Sequence, residues 1–460
     1  MLGLTCPRCN KQLDKLADGN DACTSCKVTF TRLGGRVPFL WSEPGSALLD
    51  WRNRYNAALA EIEQQATDTA QSPEQATPST RRRLNHLHAA WSRHHDELTQ
   101  ILDPLNVGAA LAKETHLALR TKLPSHHGIL SYAPNIHRDW CWGDAENSAV
   151  LSCISDALEE VSTQTADIQN ILVLGAGAGR LAYDLHNALQ PTHTWALDSN
   201  PLLCLIGARM SAGEELTFTE FPLAPIGLQD CAVERTLRAP HPLKDIDFVC
   251  ADALRAPFAG GQFDLVVTPW LLDVIDASLT ETLASIHHLT KPGGIWLTHG
   301  SVAFTGSRAV NRLSAEELAE LSGNNGFDVL HRANLELPYL QSPASRQARQ
   351  ELTYTQVCRR DLSDIQTRAP KHDHLPEWIV GARAPVPLTP GFQTQISTTR
   401  IHAFMMSLID GKRTVRDMAQ ILEDQRLMPA AQAVQAIQQF LTTMYEEATQ
   451  MDGRSGGRGH

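Results

Sequence analysis

At 460 residues, 42% hydrophobic and 20% charged, the chain is long enough for two or three globular domains with ordinary cores. Its net charge of -11 argues against broad electrostatic capture of nucleic acid. No apolar run reaches the length that spans a bilayer, and the start, Met1-Leu-Gly-Leu-Thr-Cys6, lacks a signal-peptide layout. Four of the ten cysteines stand in a metal-type pattern and the rest on apolar segments, so a reducing cytoplasm is expected rather than a disulfide framework.

Cys6-Pro-Arg-Cys9 and Cys23-Thr-Ser-Cys26 are two C-x2-C pairs. Each can offer two thiolates from one tight turn, and four sulfurs close a tetrahedral structural zinc site. So short a segment has little core, so the metal would supply much of its stability. With Phe30-Thr-Arg-Leu-Gly-Gly-Arg-Val-Pro-Phe-Leu40 the pattern resembles a Trm112-like zinc ribbon over residues 1–42, a structural or partner-binding module.

Residues 43–130 read as helical. Trp51, Tyr55, Leu59 and Ile62 recur at helical spacing, as do Leu84, Leu87, Trp91, Leu98 and Leu102. Between them, residues 64–80 are rich in Gln, Ala, Thr, Ser and Pro and are expected to be a mobile connector. The histidines His86, His88, His94 and His95 are read as packing or solvated residues, because neighbours on a helix point to different faces.

Tyr132 to Asn147 gathers aromatics, charges and an amide, including Asn135 and Arg138-Asp139-Trp140. Two readings stay open. One is a capping helix with Arg138 and Asp139 as a surface pair; the other is a lid whose Arg138 fork takes a cofactor carboxylate.

From 170 to 300 strands are expected at 171–174, 194–197, 246–250, 263–268 and 294–299, with helical patterns between several of them. That is an α/β fold with a doubly wound parallel sheet. The organising stretch is Ile171-Leu-Val-Leu-Gly175-Ala-Gly177-Ala-Gly179-Arg-Leu-Ala. It runs strand, glycine turn, helix, and its alternating glycines differ from the dinucleotide fingerprint G-x-G-x-x-G. The next strand ends in Asp198, placed to accept ribose hydroxyls, and the third runs into Asp252, placed to accept from an adenine amine. Ligands in such sheets sit at the carboxyl ends of the strands, which gathers Gly175 to Gly179, Asp198, Asp252 and Asp273 around one crevice.

The order G-A-G-A-G, strand-end Asp, A-D-A, F-D-L-V-V and K-P-G-G resembles class I S-adenosylmethionine-dependent methyltransferases, which implies a Rossmann-like sheet over residues 131–360. Within that class the chain resembles the carnosine N-methyltransferase family through Arg138-Asp-Trp140, the glycine stretch to Ala182, Trp270-Leu-Leu-Asp273, Leu289-Thr-Lys-Pro-Gly-Gly-Ile-Trp296, Gly326-Phe-Asp, Pro338-Tyr339 and Tyr354. The resemblance implies that Asn135 and Arg138 contact the methionine end of the cofactor. It sets Gly175, Gly177 and Gly179 beside it, Asp198 on its ribose, and Asp252 with Ala253 around its adenine. Asp273 and Tyr354 match positions that hold an imidazole-bearing substrate. Otherwise Asp273 caps a helix and Tyr354 is a core residue. The family's histidine in the segment after the K-P-G-G strand is replaced by Thr305, and His299 lies nearby.

Leu313-Ser-Ala-Glu-Glu-Leu318 and Gly326-Phe-Asp-Val-Leu330 read as helix then strand. Residues 361–395 form a proline-rich linker, 396–449 a helical module, and 450–460 a disordered Gly/Arg tail. The phrase Ile409-Asp-Gly-Lys-Arg-Thr-Val415 resembles a PqqD-like peptide-binding module, which implies a small winged-helix-like domain. The expectation is a cytoplasmic methyltransferase with S-adenosylmethionine and structural zinc. Its acceptor would be an imidazole- or amine-bearing small molecule or peptide, with protein partners through the ribbon or the C-terminal module. The rival is a non-catalytic cofactor-binding scaffold.

Overall fold

The computed structural model describes residues 3–71, 73–107, 129–161, 167–275, 278–304, 312–362, 385–429 and 432–444 apart from 439 and 443. The chain forms two compact units, residues 1–372 and 373–460.

The first unit begins with a small sheet of β1 (Asp14–Lys15), β2 (Asp21–Cys23) and β3 (Val28–Phe30), followed by β4 (Arg32–Leu33) and β5 (Val37–Leu40). Then come β6 (Asn170–Leu174), β7 (His193–Asp198), β8 (Leu216–Glu220) and β9 (Val233–Leu237). Next are β10 (Ile246–Ala251), β11 (Phe263–Pro269), β12 (Thr290–Gly300), β13 (Phe327–Pro338) and β14 (Gln350–Arg360). The five expected core strands are all present. Nine strands form the central sheet in the order β13-β14-β12-β11-β6-β7-β10-β5-β4. From β12 to β5 the neighbours run parallel, while β14, β13 and β4 pair antiparallel at the two edges. The expected parallel sheet is therefore a mixed one. A hairpin of β13 and β14 returns the chain without a crossover, which only antiparallel strands allow.

The ribbon boundary at residue 42 needs correction. Val37-Pro-Phe-Leu40 is buried on every residue and lies in the main sheet beside β10, with Phe39 opposite Cys250 and Leu40 opposite Ala251. Phe39 joins the core on one face of the sheet and Leu40 the core on the other, where Cys6, Cys23 and Phe30 also sit. The ribbon has no separate core; it shares that of the sheet.

The lead-in is two long helices, Pro44–Ala70 and Pro78–Leu102. The expected connector over 64–80 shrinks to the residues between them, because Ala66 and Thr69 extend the buried stripe of Tyr55, Leu59 and Ile62 by further helical turns. Tyr55 reaches the sheet's ligand edge: its hydroxyl donates to Asn200 Oδ1 at 2.7 Å and accepts from Leu202 N at 3.0 Å. The histidines pack or bond locally. His94 is buried against Phe218 and Phe221, His86 Nε2 meets Ala232 O at 2.7 Å, and His88 Nδ1 meets Ala66 O at 2.8 Å.

The second unit packs a core of Met405, Leu408, Met418, Ala419, Leu422, Ala433 and Ile437. It holds helices Pro390–Ser407 and Val415–Asp424, so the expected linker ends before residue 395. Thr414 caps the latter with Asp417 in a reciprocal box. Its described residues are helical with no strand. Most of the linker and all of the tail lie outside the described residues.

Candidate active site and metal centre

The glycine turn sits where β6 ends. Gly175, Gly177 and Gly179 take φ of 70°, 58° and 90°, the region L-residues avoid. A Cβ on Gly179 would stand 2.4 Å from the Phe248 ring. Gly177 N donates to Asp198 Oδ2 at 2.9 Å and Asn200 N to Asp198 Oδ1 at 2.8 Å. One carboxylate thus ties the turn to the end of β7 and can accept a further hydrogen bond on each oxygen. Burial pushes the Asp198 carboxyl up from 3.8 to about 6, against the N–H groups of Asn200, Gly177 and Ser199.

The Arg138-Asp-Trp segment is brought to this turn from far away in sequence. Arg138–Trp142 forms a π-helical turn. Trp140 Nε1 donates to Ala178 O at 2.9 Å, and Arg180 Nη1 donates to Asp139 O at 2.7 Å. The surface-pair reading of Arg138 does not hold, because this ion pair is buried. Its Nε donates to Asp139 at 2.7 Å and its Nη1 to Glu146 at 2.9 Å, which leaves Nη2 for a ligand carboxylate. Burial works against the cation, but Asp139 and Glu146 more than offset it and hold its pKa above the ordinary value. The Arg138 guanidinium lies 6.0 Å from the centre of the Tyr339 ring, and Asn135 is among the groups that act on the Tyr339 hydroxyl.

Sequence reasoning gave no role to the next layer. Trp270 follows β11 at φ 44°. Its ring lies 4.8 Å from His299 and 5.7 Å from the Arg138 guanidinium. His299 is the next-to-last residue of β12, fully buried, with Nδ1 at 2.8 Å from Thr355 Oγ1. Burial, with Arg138 adding to it, lowers its pKa to about 4, so it is neutral. Its place beside the K-P-G-G strand end was the one available signal.

The remaining expected residues divide. Asp252 caps the short turn Ala253–Arg255, accepting from Leu254 N at 2.9 Å through Oδ1. Asp273 follows Trp270 and accepts from Ala303 N at 2.8 Å. Tyr354 pairs with Gly300 in register, but its hydroxyl donates to Gln356 Oε1 at 2.8 Å, on the face that carries Trp296 and Phe327. This favours the core reading of Tyr354. Thr305 lies outside the described residues.

Among the described residues, Cys6, Cys9, Cys23 and Cys26 are the one group arranged to hold a metal, with all four Sγ atoms within 4.8 Å of one another. Cys6 and Cys26 are 4.0 Å apart and Cys9 and Cys23 3.5 Å. Tetrahedral zinc with 2.3 Å bonds needs sulfurs ~3.8 Å apart, so the set fits. Arg8 N and Cys26 N each approach a thiol sulfur at 3.4 Å, a placement that stabilises thiolates.

A pH dependence follows from Asp198. The free protein holds its proton up to about pH 6, whereas ribose hydroxyls donate to the ionised form. Affinity for S-adenosylmethionine is expected to rise about tenfold between pH 5 and 7 and then level off. By the same linkage the folded, cofactor-free protein binds that proton more tightly than the unfolded chain. This group therefore costs stability as pH rises from 3.8 through about 6. Calorimetric titration across that range checks it, and a flat profile refutes it.

Residues 172–298 match a family model described as a methyltransferase domain. Of solved structures, the chain is similar to the N-methyltransferase NodS from Bradyrhizobium japonicum WM9 in complex with S-adenosyl-L-homocysteine, at 15% identity and TM-score 0.32, covering 50% of this chain and 98% of that one. It is similar to a SAM-dependent methyltransferase from Methanosarcina mazei, at 14% identity and TM-score 0.31, covering 44% and 97%. A third is the complex of the Haloferax volcanii Trm112 methyltransferase activator with a methyltransferase, at 14% identity and TM-score 0.30, covering 50% and 97%. No curated protein matches the chain. No helix among the described residues is long and apolar enough to cross a membrane. The matched residues 172–298, which hold the glycine turn, Asp198, Asp252 and Asp273, form a methyltransferase domain on a Rossmann-like α/β sheet.

Proposed function

We propose that the protein N-methylates an imidazole- or amine-bearing small molecule or peptide, with zinc structural in the ribbon. The observation that carries the reading is the docking of Arg138–Trp142 on the glycine turn that Asp198 grips. S-adenosylmethionine supplies an electrophilic methyl group when bound. Arg138, through Nη2, and Asn135 take its methionine end, Asp198 its ribose, and Asp252 with Ala253 its adenine. Gly175, Gly177 and Gly179 let the backbone come close to it.

Methyl transfer is an in-line displacement, so the protein mainly aligns a nucleophile that has already lost its proton. Asp273 stands at the mouth of this strand end with one oxygen on Ala303 N and one left to orient an acceptor N–H. Tyr354, its hydroxyl bound to Gln356 within β14, supports the neighbouring β12 from the core and has no direct part in this reading. His299, neutral and beside Trp270, adds no positive charge of its own there.

The test is transfer of labelled methyl from S-adenosylmethionine to a panel of imidazoles, amines and peptides. Asp273→Asn is expected to lower turnover about 100-fold with cofactor affinity unchanged. Full turnover in that variant would remove Asp273 from the mechanism. Transfer to peptides alone, lost when the second unit is deleted, would favour the PqqD-like reading of that unit. Cofactor binding with no transfer to any class would favour the scaffold.

A further inference from the structure

We infer that the four-cysteine ribbon is a positioning element of the cofactor crevice, gripping the Asp252–Phe258 segment at both ends so that metal occupancy and cofactor affinity are coupled. The inference rests on the crevice reading above.

The grip has three parts. The last two residues of β10, Cys250 and Ala251, pair with Phe39 and Leu40, and Asp252 follows at once. At the far end of the segment, Thr5 N donates to Pro257 O at 2.7 Å and Leu4 bridges Phe258. Thr5 is covalently next to Cys6. Between them, Arg8, inside the first cysteine pair, holds Ser42 and Glu43, and Ser42 Oγ accepts from Arg255 Nη1 at 3.5 Å. The segment so enclosed contains Asp252 and the turn Ala253–Arg255, the adenine side of the crevice. The ribose side, Asp198 with Gly177, is held by contacts that do not involve the ribbon.

Metal is the natural control point of this arrangement. Cys6 and Cys23 are buried in the core that also holds Leu4, Leu40, Ala251 and Phe258. Without metal the knuckles lose their closure, and the two-rung ladder of β5 on β10 is too short to hold by itself. The Asp252 segment then loses both anchors while the glycine turn keeps its own. Coupling between two sites is reciprocal, so the cofactor must tighten metal binding by the same factor that metal tightens cofactor binding.

The experiment uses the full-length protein and S-adenosylhomocysteine as probe. Its affinity is measured by calorimetry in zinc-loaded and chelator-stripped protein, and zinc affinity is measured with and without the probe. The expected result is a factor of about ten in both directions. Thr5→Pro removes the amide donor to Pro257 O at the far end of the segment and keeps all four cysteines. It is expected to bind one zinc yet to weaken S-adenosylhomocysteine about fivefold, and this variant decides the matter if stripped protein unfolds. Equal probe affinity in loaded and stripped protein, or an unchanged affinity in Thr5→Pro, would overturn the inference alone. Failure of zinc-loaded wild-type protein to bind the probe would overturn the crevice reading and this inference with it.

Discussion

Asp198→Ala is expected to weaken S-adenosylmethionine binding by at least about 100-fold. In the proposed reading two ribose hydroxyls donate to this carboxylate, each bond is worth about 1.5–3 kcal/mol, and the substitution removes both. The change also strips acceptors from Gly177 N and Asn200 N, so the turn itself loosens. Asp198→Asn separates the two effects. Its amide oxygen can still accept from one of these N–H groups, but the charge is gone, so binding should fall by about 10-fold while the fold persists. The check is calorimetric titration of both variants with thermal melts alongside. Retention of near-native affinity in Asp198→Ala would mean that the ribose is held elsewhere.

Cys23→Ser is expected to lower the melting temperature of the whole first unit by on the order of 10 °C and to abolish zinc retention. A buried metal ligand in a small site carries folding free energy outright. Here Cys23 is 1% exposed, and its core includes Leu172, Leu174, Val249 and Val266 from the central strands. In a separate ribbon the same change would melt the first forty residues and leave the sheet untouched. Differential scanning calorimetry with metal analysis distinguishes the two. One cooperative transition shifted downward is the expected outcome, and an unshifted main transition would show that the ribbon is energetically independent.

The local features were legible because they depend on near neighbours. The run Ile171–Leu174 followed by alternating glycines reads as strand and turn because only glycine takes the positive φ of Gly175, Gly177 and Gly179 cheaply. Asp198 could be placed at a strand tip because period and length alone set where β7 ends. The paired C-x2-C spacing reads as a metal site because ligand geometry is local, and the four sulfurs do converge. Helices show in the sequence as 3.6-residue stripes, but the connector is shorter than its composition suggests, because polar composition says little about whether a second helix packs alongside.

Other features depend on partners far away in the chain, and no pattern in the sequence encodes them. The polar character of Arg138 and Asp139 fits a surface pair equally well until Trp140 and Arg180 dock that segment onto the glycine turn. A hydroxyl's direction is invisible in a strand pattern, so Tyr354 could be a site residue or a core residue. Its bond to Gln356 on the same face favours the core. Val37-Pro-Phe-Leu40 stands next to the cysteines in sequence and was assigned to the ribbon for that reason. Its fourfold burial is the signature of a strand covered on both faces.

By itself, then, the sequence determined an α/β methyltransferase domain with a strand-end crevice and a four-thiol site, since turns, strand tips and ligand spacing are set within a few residues. Only the tertiary structure decided that β5, just after the thiol site, joins the crevice's sheet and that the thiols share that sheet's core. That outcome hangs on which strand completes the free edge of β10, a pairing between residues more than two hundred positions apart.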